Sequence, residues 1–219
     1  MKISYRILNN TESKKLSNKI KELDKAINLR LNWLIIILFL ILTFISAVHI
    51  YYYDKSNWSL ASKFLVCLCP IIIWIYIENK VKIKKQSSKS LNELRGIQLK
   101  NSIEIIKVEA TRIIEFLEKE DEGILYLIET FDGQSFYLWN EQYLIPENEI
   151  FPCAKFDIYL NNEFKYAIDE KIYCKSDKID TIKISGDDKW VYFDKRGFPE
   201  DLELEKQKFE DIIYALKSL

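Results

Sequence analysis

The sequence predicts a helical membrane hairpin followed by a cytosolic α+β domain, the latter a small β-barrel or sandwich of about seven strands closed by a C-terminal helix. Three observations predict it. Two nearly chargeless runs lie before residue 78, and the charged residues are segregated around them. Past residue 100 the apolar pattern changes from helical to strand-like, with turn dipeptides between short β-branched runs.

Charge orders the first half of the chain. The 219 residues are 48% apolar and 30% charged with a formal net charge of −1. That near-neutral total hides a strong asymmetry. Lys and Arg outnumber Asp and Glu by 8 to 3 in residues 1–32, 2 to 1 in 53–63 and 7 to 2 in 78–100, whereas 101–219 hold 15 basic against 27 acidic residues. Five glycines, four cysteines and 14% aromatics exclude collagen-like, disulfide-scaffold and disordered classes.

In residues 11–31, Leu16, Ile20, Leu23, Ile27 and Leu31 recur at steps of four, three, four and four, which is one apolar stripe of a helix with lysines opposite. This segment, within 1–32, suits a membrane surface, a partner or part of the cytosolic domain as its cover. Residues 33–53 carry no charge and give roughly 30 Å of helix, the thickness of a hydrocarbon core. Residues 60–77 form a second run in which Lys63 is placed to snorkel. Together 33–77 predict an antiparallel transmembrane hairpin. Trp33, Tyr51, Tyr52 and Tyr53 on the first span, and Trp58, Trp74 and Tyr76 on the second, are candidate membrane-interface anchors. Basic flanks on both sides predict a multi-pass protein of the inner (plasma) membrane with both termini cytoplasmic. A cleaved leader has an apolar core of about 7–15 residues behind a short basic start, which this long run does not resemble. In that compartment Cys153 and Cys174 are expected to be reduced core residues, with Cys67 and Cys69 inside the second span.

Residues 78–100 read as a basic joint, with Ser90-Leu-Asn-Glu93 as the capping box of a short helix ending near Leu99. The domain then occupies 101–219. A long β-branched stretch from Ile103 to Phe116 precedes a hairpin across Asp132-Gly133. Further strands are expected at 155–160 and 164–169 around Asn161-Asn162, at 171–174, and at 180–184 and 189–193 around Gly186-Asp187-Asp188. A final helix at about 206–218 is expected to bury Phe209, Ile212, Ile213 and Leu216.

The run Glu109-Ala-Thr-Arg112 with Glu115, then Glu120-Asp-Glu-Gly123, Tyr126, Asp132-Gly133, Leu138, Gln142-Tyr143-Leu144, Phe151-Pro152 and Pro199-Glu200-Asp201 resembles an uncharacterised β-rich bacterial domain family. The resemblance covers about residues 105–219, implies a single folding unit and carries no catalytic residue. The element order is also similar to bacterial pleckstrin-homology-like membrane proteins, where a helical hairpin precedes a seven-stranded domain with a C-terminal helix. That is a likeness of architecture, not of function.

The residues offer little catalytic chemistry. His49 is the only histidine and lies near the end of the first span, so residues 101–219 lack the base of Ser-His-Asp or Cys-His catalysis and any His-containing zinc site. The glycines form no phosphate-binding loop. Glu115, Glu118, Glu120, Asp121 and Glu122, and Asp187-Asp188, read as turn carboxylates with no EF-hand spacing. No catalytic, cofactor or metal residue is assigned, and the acidic domain disfavours nucleic acid. Tyr137, Trp139 and Tyr143 form a possible recognition surface. Alternation puts Phe136 and Leu138 on one side of a strand and Tyr137 and Trp139 on the other, as either a second packed layer or an exposed face. The sequence therefore points to a non-enzymatic membrane protein that holds an acidic β-rich binding or sensing domain at the cytoplasmic face. Its expected partners are the lipid bilayer and a protein, or further copies joined through the hairpin. The alternative is an oligomeric membrane effector or pore controlled by its cytosolic domain.

Overall fold

A computed structural model of the chain describes residues 2–27, 33–53, 58–140, 144–145, 151–194 and 196–218. Its elements are β1 (Lys2–Ile7), α1 (Asn10–Ile27), α2 (Trp33–Tyr53), α3 (Trp58–Lys100), β2 (Ser102–Phe116), β3 (Leu125–Thr130), β4 (Ser135–Trp139), β5 (Lys155–Tyr159), α4 (Asn162–Ile168), β6 (Ile172–Cys174), β7 (Ile182–Ile184), α5 (Gly186–Asp194), β8 (Leu204–Glu205) and α6 (Phe209–Lys217). They fall into two compact units, Met1–Leu16 with Ile97–Leu219, and Ser17–Gly96.

Within Ser17–Gly96, α1 is joined to α3 by Arg95, whose guanidinium donates to both carboxylate oxygens of Asp24 at 2.8 and 2.7 Å. Among the described residues no helix is long and apolar enough to cross a membrane. That finding overturns the expected transmembrane hairpin and, with it, the multi-pass inner-membrane localisation. The apolar run in α3 is one part of a 43-residue helix that continues into Glu78, Lys80, Lys82, Lys84 and Lys85. The Ser90 to Glu93 capping box is likewise overturned, since it lies inside this continuous helix. Of the aromatic residues expected as interface anchors, Tyr51, Tyr52 and Trp74 are exposed and Tyr76 is half-buried. The side chains of Trp33, Tyr53, Trp58 and His49 lie outside the described residues.

The β-rich unit is an α+β fold around one long strand. The first half of β2 pairs antiparallel with β1 and β5, and its second half pairs antiparallel with β3 and parallel with β7. A register shift between Ala110 and Arg112 marks the change, as a β-bulge does where a strand bends. The sheet runs β6-β5-β2-β3-β4-β8 with β1 and β7 also on β2, eight strands among the described residues. This order, with helices inserted after β5 and β7, replaces both the seven-stranded barrel or sandwich and the pleckstrin-homology-like arrangement. The hairpin across Asp132-Gly133 is present, with Gly133 at φ 76, where glycine carries no Cβ penalty.

Two expected strands are helices. Asn161 is an N-cap whose side chain accepts from the Phe164 N–H, so Asn161-Asn162 starts α4 and does not turn a hairpin. Ser185 does the same for α5: its Oγ accepts from the Asp188 N–H at 3.1 Å and donates to the Asp188 carboxylate at 2.6 Å. Residue 186 must be glycine, because a Cβ there would lie 2.7 Å from Lys119 Cβ and 2.8 Å from its backbone. At the other end of the chain, Asn9 and Glu12 form a reciprocal capping box that starts α1, at 2.8 Å each way.

Two cores result. The first packs Ile106, Val108, Ile113, Tyr126, Ile128, Phe136, Leu138, Phe156 and Ile158 from β2 to β5. The second, on the opposite face of β2, β3 and β4, packs Ile114, Phe116, Leu125, Leu127 and Tyr137 against Tyr192 and Phe193 of α5 and Phe209, Ile212 and Leu216 of α6.

Cys153 and Cys174 are not reduced thiols; they form a disulfide, with Cα atoms 6.1 Å apart. The reason lies in pairing. Cys174 sits opposite Phe156 in the sheet, while Cys153 is held to Lys178 by a β-bridge. Closing a loop between residues 21 apart is expected to contribute about 3 kcal/mol. Reduction should therefore lower the urea midpoint measured by tryptophan fluorescence, and an unchanged midpoint counts against that contribution.

Candidate functional site

The second core opens to solvent between α5 and α6. α5 buries Lys189, Tyr192 and Phe193, and its other side carries Trp190 and Val191, 38% and 59% exposed. α6 buries Phe209, Ile212 and Leu216 and leaves Tyr214 79% exposed. The two helices flank a groove of about 570 Å³ lined by Trp190, Val191 and Ala215 together with Asp194, Arg196 and Ser218. Its floor includes Tyr192.

Arg196 is a fixed cation in this groove. Its Nη1 donates to the Tyr192 hydroxyl at 2.5 Å and to Gln207 Oε1 at 2.7 Å, and its guanidinium lies 4.4 Å from the Tyr192 ring centroid. Burial raises the Tyr192 hydroxyl above its ordinary value, and Arg196 opposes that rise. Beneath it the Tyr137 hydroxyl donates to Glu205 at 2.5 Å, and burial followed by that carboxylate raises the Tyr137 hydroxyl further. All the donors of Arg196 sit on a planar fork, which suits recognition of a carboxylate.

Aromatic rings connect the core to the groove. Trp139 contacts Phe198 at 6.1 Å, and Phe198 contacts Trp190 at 5.0 Å and Phe193 at 5.3 Å, centroid to centroid. Trp139 donates its indole N–H to the Pro199 carbonyl at 2.9 Å. Two buried lysines hold this region together. Lys171 Nζ donates to the Trp139 carbonyl at 2.7 Å and to Asp201 at 2.8 Å. Lys189, fully buried, lies 2.6 Å from Glu122 and 5.7 Å from the Trp139 ring centroid. Burial pushes the Glu122 carboxyl up, but hydrogen bonds from Lys189 and from the backbone N–H groups of Lys119 and Glu120 outweigh it and hold Glu122 at about 2.

The predicted recognition surface is rearranged. Tyr137 is buried in the second core and Trp139 packs against it, so α5 and α6 make the outer face of β4 a packed layer; Tyr143 lies outside the described residues. Trp139 thus supports the groove from below, while Trp190, Val191, Arg196 and Tyr214, which line or flank it, had no sequence signal of their own. Residues 189–193, expected as a strand, lie instead in α5. The acidic turns are engaged in pairs: Lys119 with Asp187 at 2.7 Å, and Glu115 accepting from Thr181 at 2.8 Å. Among the described residues no three His, Cys, Asp or Glu side chains are grouped to hold a metal ion.

A second cavity, about 350 Å³, lies beside the β3–β4 turn and is lined by Lys2, Lys107, Glu109, Thr130 and Asp132 with the 82% exposed Phe131. Its charges are mixed, and the Asp132 carboxyl is lowered by a hydrogen bond from Thr130. Compared with known proteins, the chain matches no protein-family model, no curated protein and no solved structure.

Proposed function

We propose that the chain is a non-enzymatic binding protein whose β-rich unit takes a protein partner in the groove between α5 and α6. The observation that carries this reading is the exposure of Trp190, Val191 and Tyr214 around a groove that also holds the pinned Arg196. Exposed aromatic and aliphatic groups beside one oriented cation fit a partner segment with an apolar anchor and a carboxylate. Beneath the groove Tyr137 is bonded to Glu205, Trp139 to the Pro199 carbonyl and Lys171 to Asp201, which stiffens it.

The test compares proteins captured by immobilised full-length chain, wild type against Val191→Asp and Tyr214→Asp. Tyr166→Asp, on the exposed side of α4, is the control. Surface changes of this kind alter stability by roughly 0.5 kcal/mol or less, so the fold is retained. Both groove variants are expected to lose a common set of partners by about tenfold, the scale of a hot-spot truncation, while the control keeps them. Capture indifferent to both groove variants rejects the reading.

A second reading, self-association through α2 and α3, is supported by a different observation. Ile37, Leu38, Leu40, Ile41, Phe44 and Ile45 are exposed around α2, an apolar surface of a kind that marks interaction sites. Light scattering of the purified chain, with Phe44→Glu as the comparison, is expected to show an assembly that the variant disperses. A wild-type monomer removes this reading.

A further inference from the structure

Both hydrogen bonds that fix Arg196 leave from Nη1, at 2.5 Å to the Tyr192 hydroxyl and 2.7 Å to Gln207 Oε1. Among the described residues its guanidinium meets no Asp or Glu, although residues 101–219 hold 27 acidic side chains against 15 basic ones. The Nε–Nη2 edge, with its two parallel N–H groups, is therefore open. Tyr192 adds a neighbouring donor. Its side chain is 6% exposed and lines the groove, and its hydroxyl accepts from Arg196 without donating to any described residue. Burial raises that hydroxyl above its ordinary value, so it keeps the proton it donates. A fixed positive charge beside open donors from two side chains makes a site for an oxyanion. The rest of the groove decides which one. α5 ends at Asp194 and α6 at Lys217, and Asp194 and Ser218 line the groove, which thus receives the negative ends of two helices and one carboxylate. A dianionic phosphate is opposed there. A carboxylate carries one charge, and its two oxygens match the open guanidinium edge.

We infer that the groove binds the C-terminal residue of its protein partner, with the free carboxylate on Arg196 and Tyr192 and an apolar side chain against Trp190, Val191 and Ala215. The inference rests on the groove being the partner site, and it names the part of the partner that enters. A C-terminal apolar residue carries a carboxylate, an apolar group and a peptide N–H on a single Cα. Those are the three groups the lining answers, since the Asp194 carboxylate and the Ser218 hydroxyl are acceptors for the N–H. An internal Asp or Glu has its carboxylate on the side chain, leaves no apolar group on that residue, and sends its chain out of the groove in two directions. The volume, about 570 Å³, is that of a small-ligand pocket and suits a chain end. Capture of a terminal carboxylate is a recurrent mode of peptide recognition. Asp194 adds a preference at the preceding position, where a basic residue is favoured over an acidic one.

The test measures binding of N-terminally fluorescein-labelled peptides to the full-length chain by fluorescence anisotropy. The peptides are Gly-Gly-Ser-Lys ending in Leu, Val or Phe, each as the free acid and as the C-terminal amide, with Gly-Gly-Asp-Leu-Gly amide as the internal carboxylate. At least one free acid is expected to bind about tenfold more tightly than its amide and than the internal-Asp peptide. Exchanging its Lys for Glu should weaken it several-fold. Arg196→Gln should bring the acid down to the level of the amide, and Arg196→Lys should restore only part of the difference, because lysine keeps the charge and loses the paired N–H groups. An unchanged urea midpoint shows that each variant is folded, and the acid–amide comparison on the wild-type chain needs no variant. Acids and amides bound alike, or none bound, overturn the inference, as does an internal-Asp peptide that equals the best acid. If Val191→Asp and Tyr214→Asp still lose their partners in that case, only the C-terminal reading falls; if they keep them, the groove is not the partner site.

Discussion

Replacing Asp157 with alanine is expected to remove about 3–5 kcal/mol of stability, much of what a domain of this size possesses. Asp157 is fully buried on β5, facing Lys107 on one side and Tyr173 on the other in the sheet. Its Oδ1 accepts from Lys175 Nζ at 2.6 Å. Its Oδ2 lies 3.0 Å from Arg6 Nε without hydrogen-bond alignment, so charge alone holds that contact. Arg6 in turn donates to Glu12 at 2.5 Å and to the Tyr159 hydroxyl at 3.0 Å, and Tyr159 donates to Glu12. Burial works against the Arg6 charge, yet Glu12 and Asp157 with Tyr159 more than compensate, and its basicity is raised. Burial and then Glu12 push the Tyr159 hydroxyl up in the same way, so it stays a donor. Removing Asp157 leaves Arg6 with one carboxylate against two buried demands and strips Lys175 of its partner. Because Arg6 belongs to β1 and Glu12 to α1, the damage is expected to release residues 2–16 from the β-rich unit. Urea unfolding should show the lowered midpoint, and hydrogen exchange should show loss of protection concentrated in β1. A midpoint drop equivalent to less than about 1 kcal/mol places this network among ordinary surface pairs.

Glu122→Ala should cost about 3–5 kcal/mol, and Lys189→Met clearly less. The asymmetry comes from burial: Lys189 is fully buried and the Glu122 side chain is 19% exposed. Without Glu122, the ammonium keeps, among the described residues, the Gly123 carbonyl at 3.2 Å and the face of Trp139. Without Lys189, the carboxylate still accepts from the Lys119 N–H at 3.1 Å and the Glu120 N–H at 2.7 Å and meets water on its open side. A methionine fills the lysine stem without a charge. The pH dependence has a definite sign. Glu122 titrates at about 2 in the fold against an ordinary 4.5, so its contribution is complete above 4.5 and is lost as the pH falls from there to about 2. Glu129, lowered first by its hydrogen bond with Arg112, acts in the same direction. Wild-type protein should therefore lose stability over that interval, and Glu122→Gln should lose less of it. Denaturant midpoints at pH 7 and across the acid range decide both points; a Lys189→Met loss equal to that of Glu122→Ala defeats the asymmetry.

Several features were legible from residue order alone because their causes are local. The four-three-four spacing of Leu16, Ile20, Leu23 and Ile27 is the α1 stripe, Asp132-Gly133 supplies the turn between β3 and β4, and Phe209, Ile212 and Leu216 mark the buried side of α6. Charge segregation is likewise a property of the sequence itself. Tertiary structure decided the rest. Asn161-Asn162 and Ser185-Gly186-Asp187-Asp188 serve a turn or a helix cap equally well, and only the burial of Phe164 against Tyr159 and of Tyr192 and Phe193 in the second core chooses the helix. Alternation correctly split Phe136 and Leu138 from Tyr137 and Trp139, but whether the second set faces water depends on α5 and α6, which lie far along the chain. The Cys153–Cys174 disulfide required the pairing of β5 with β6, and the Arg6–Glu12–Asp157 network joins residues about 150 positions apart. Apolar composition in 33–77 set the helices but not what covers them. Periodicity and capping act within a few residues, whereas burial and charge pairing are set by chain segments that sequence order does not bring together.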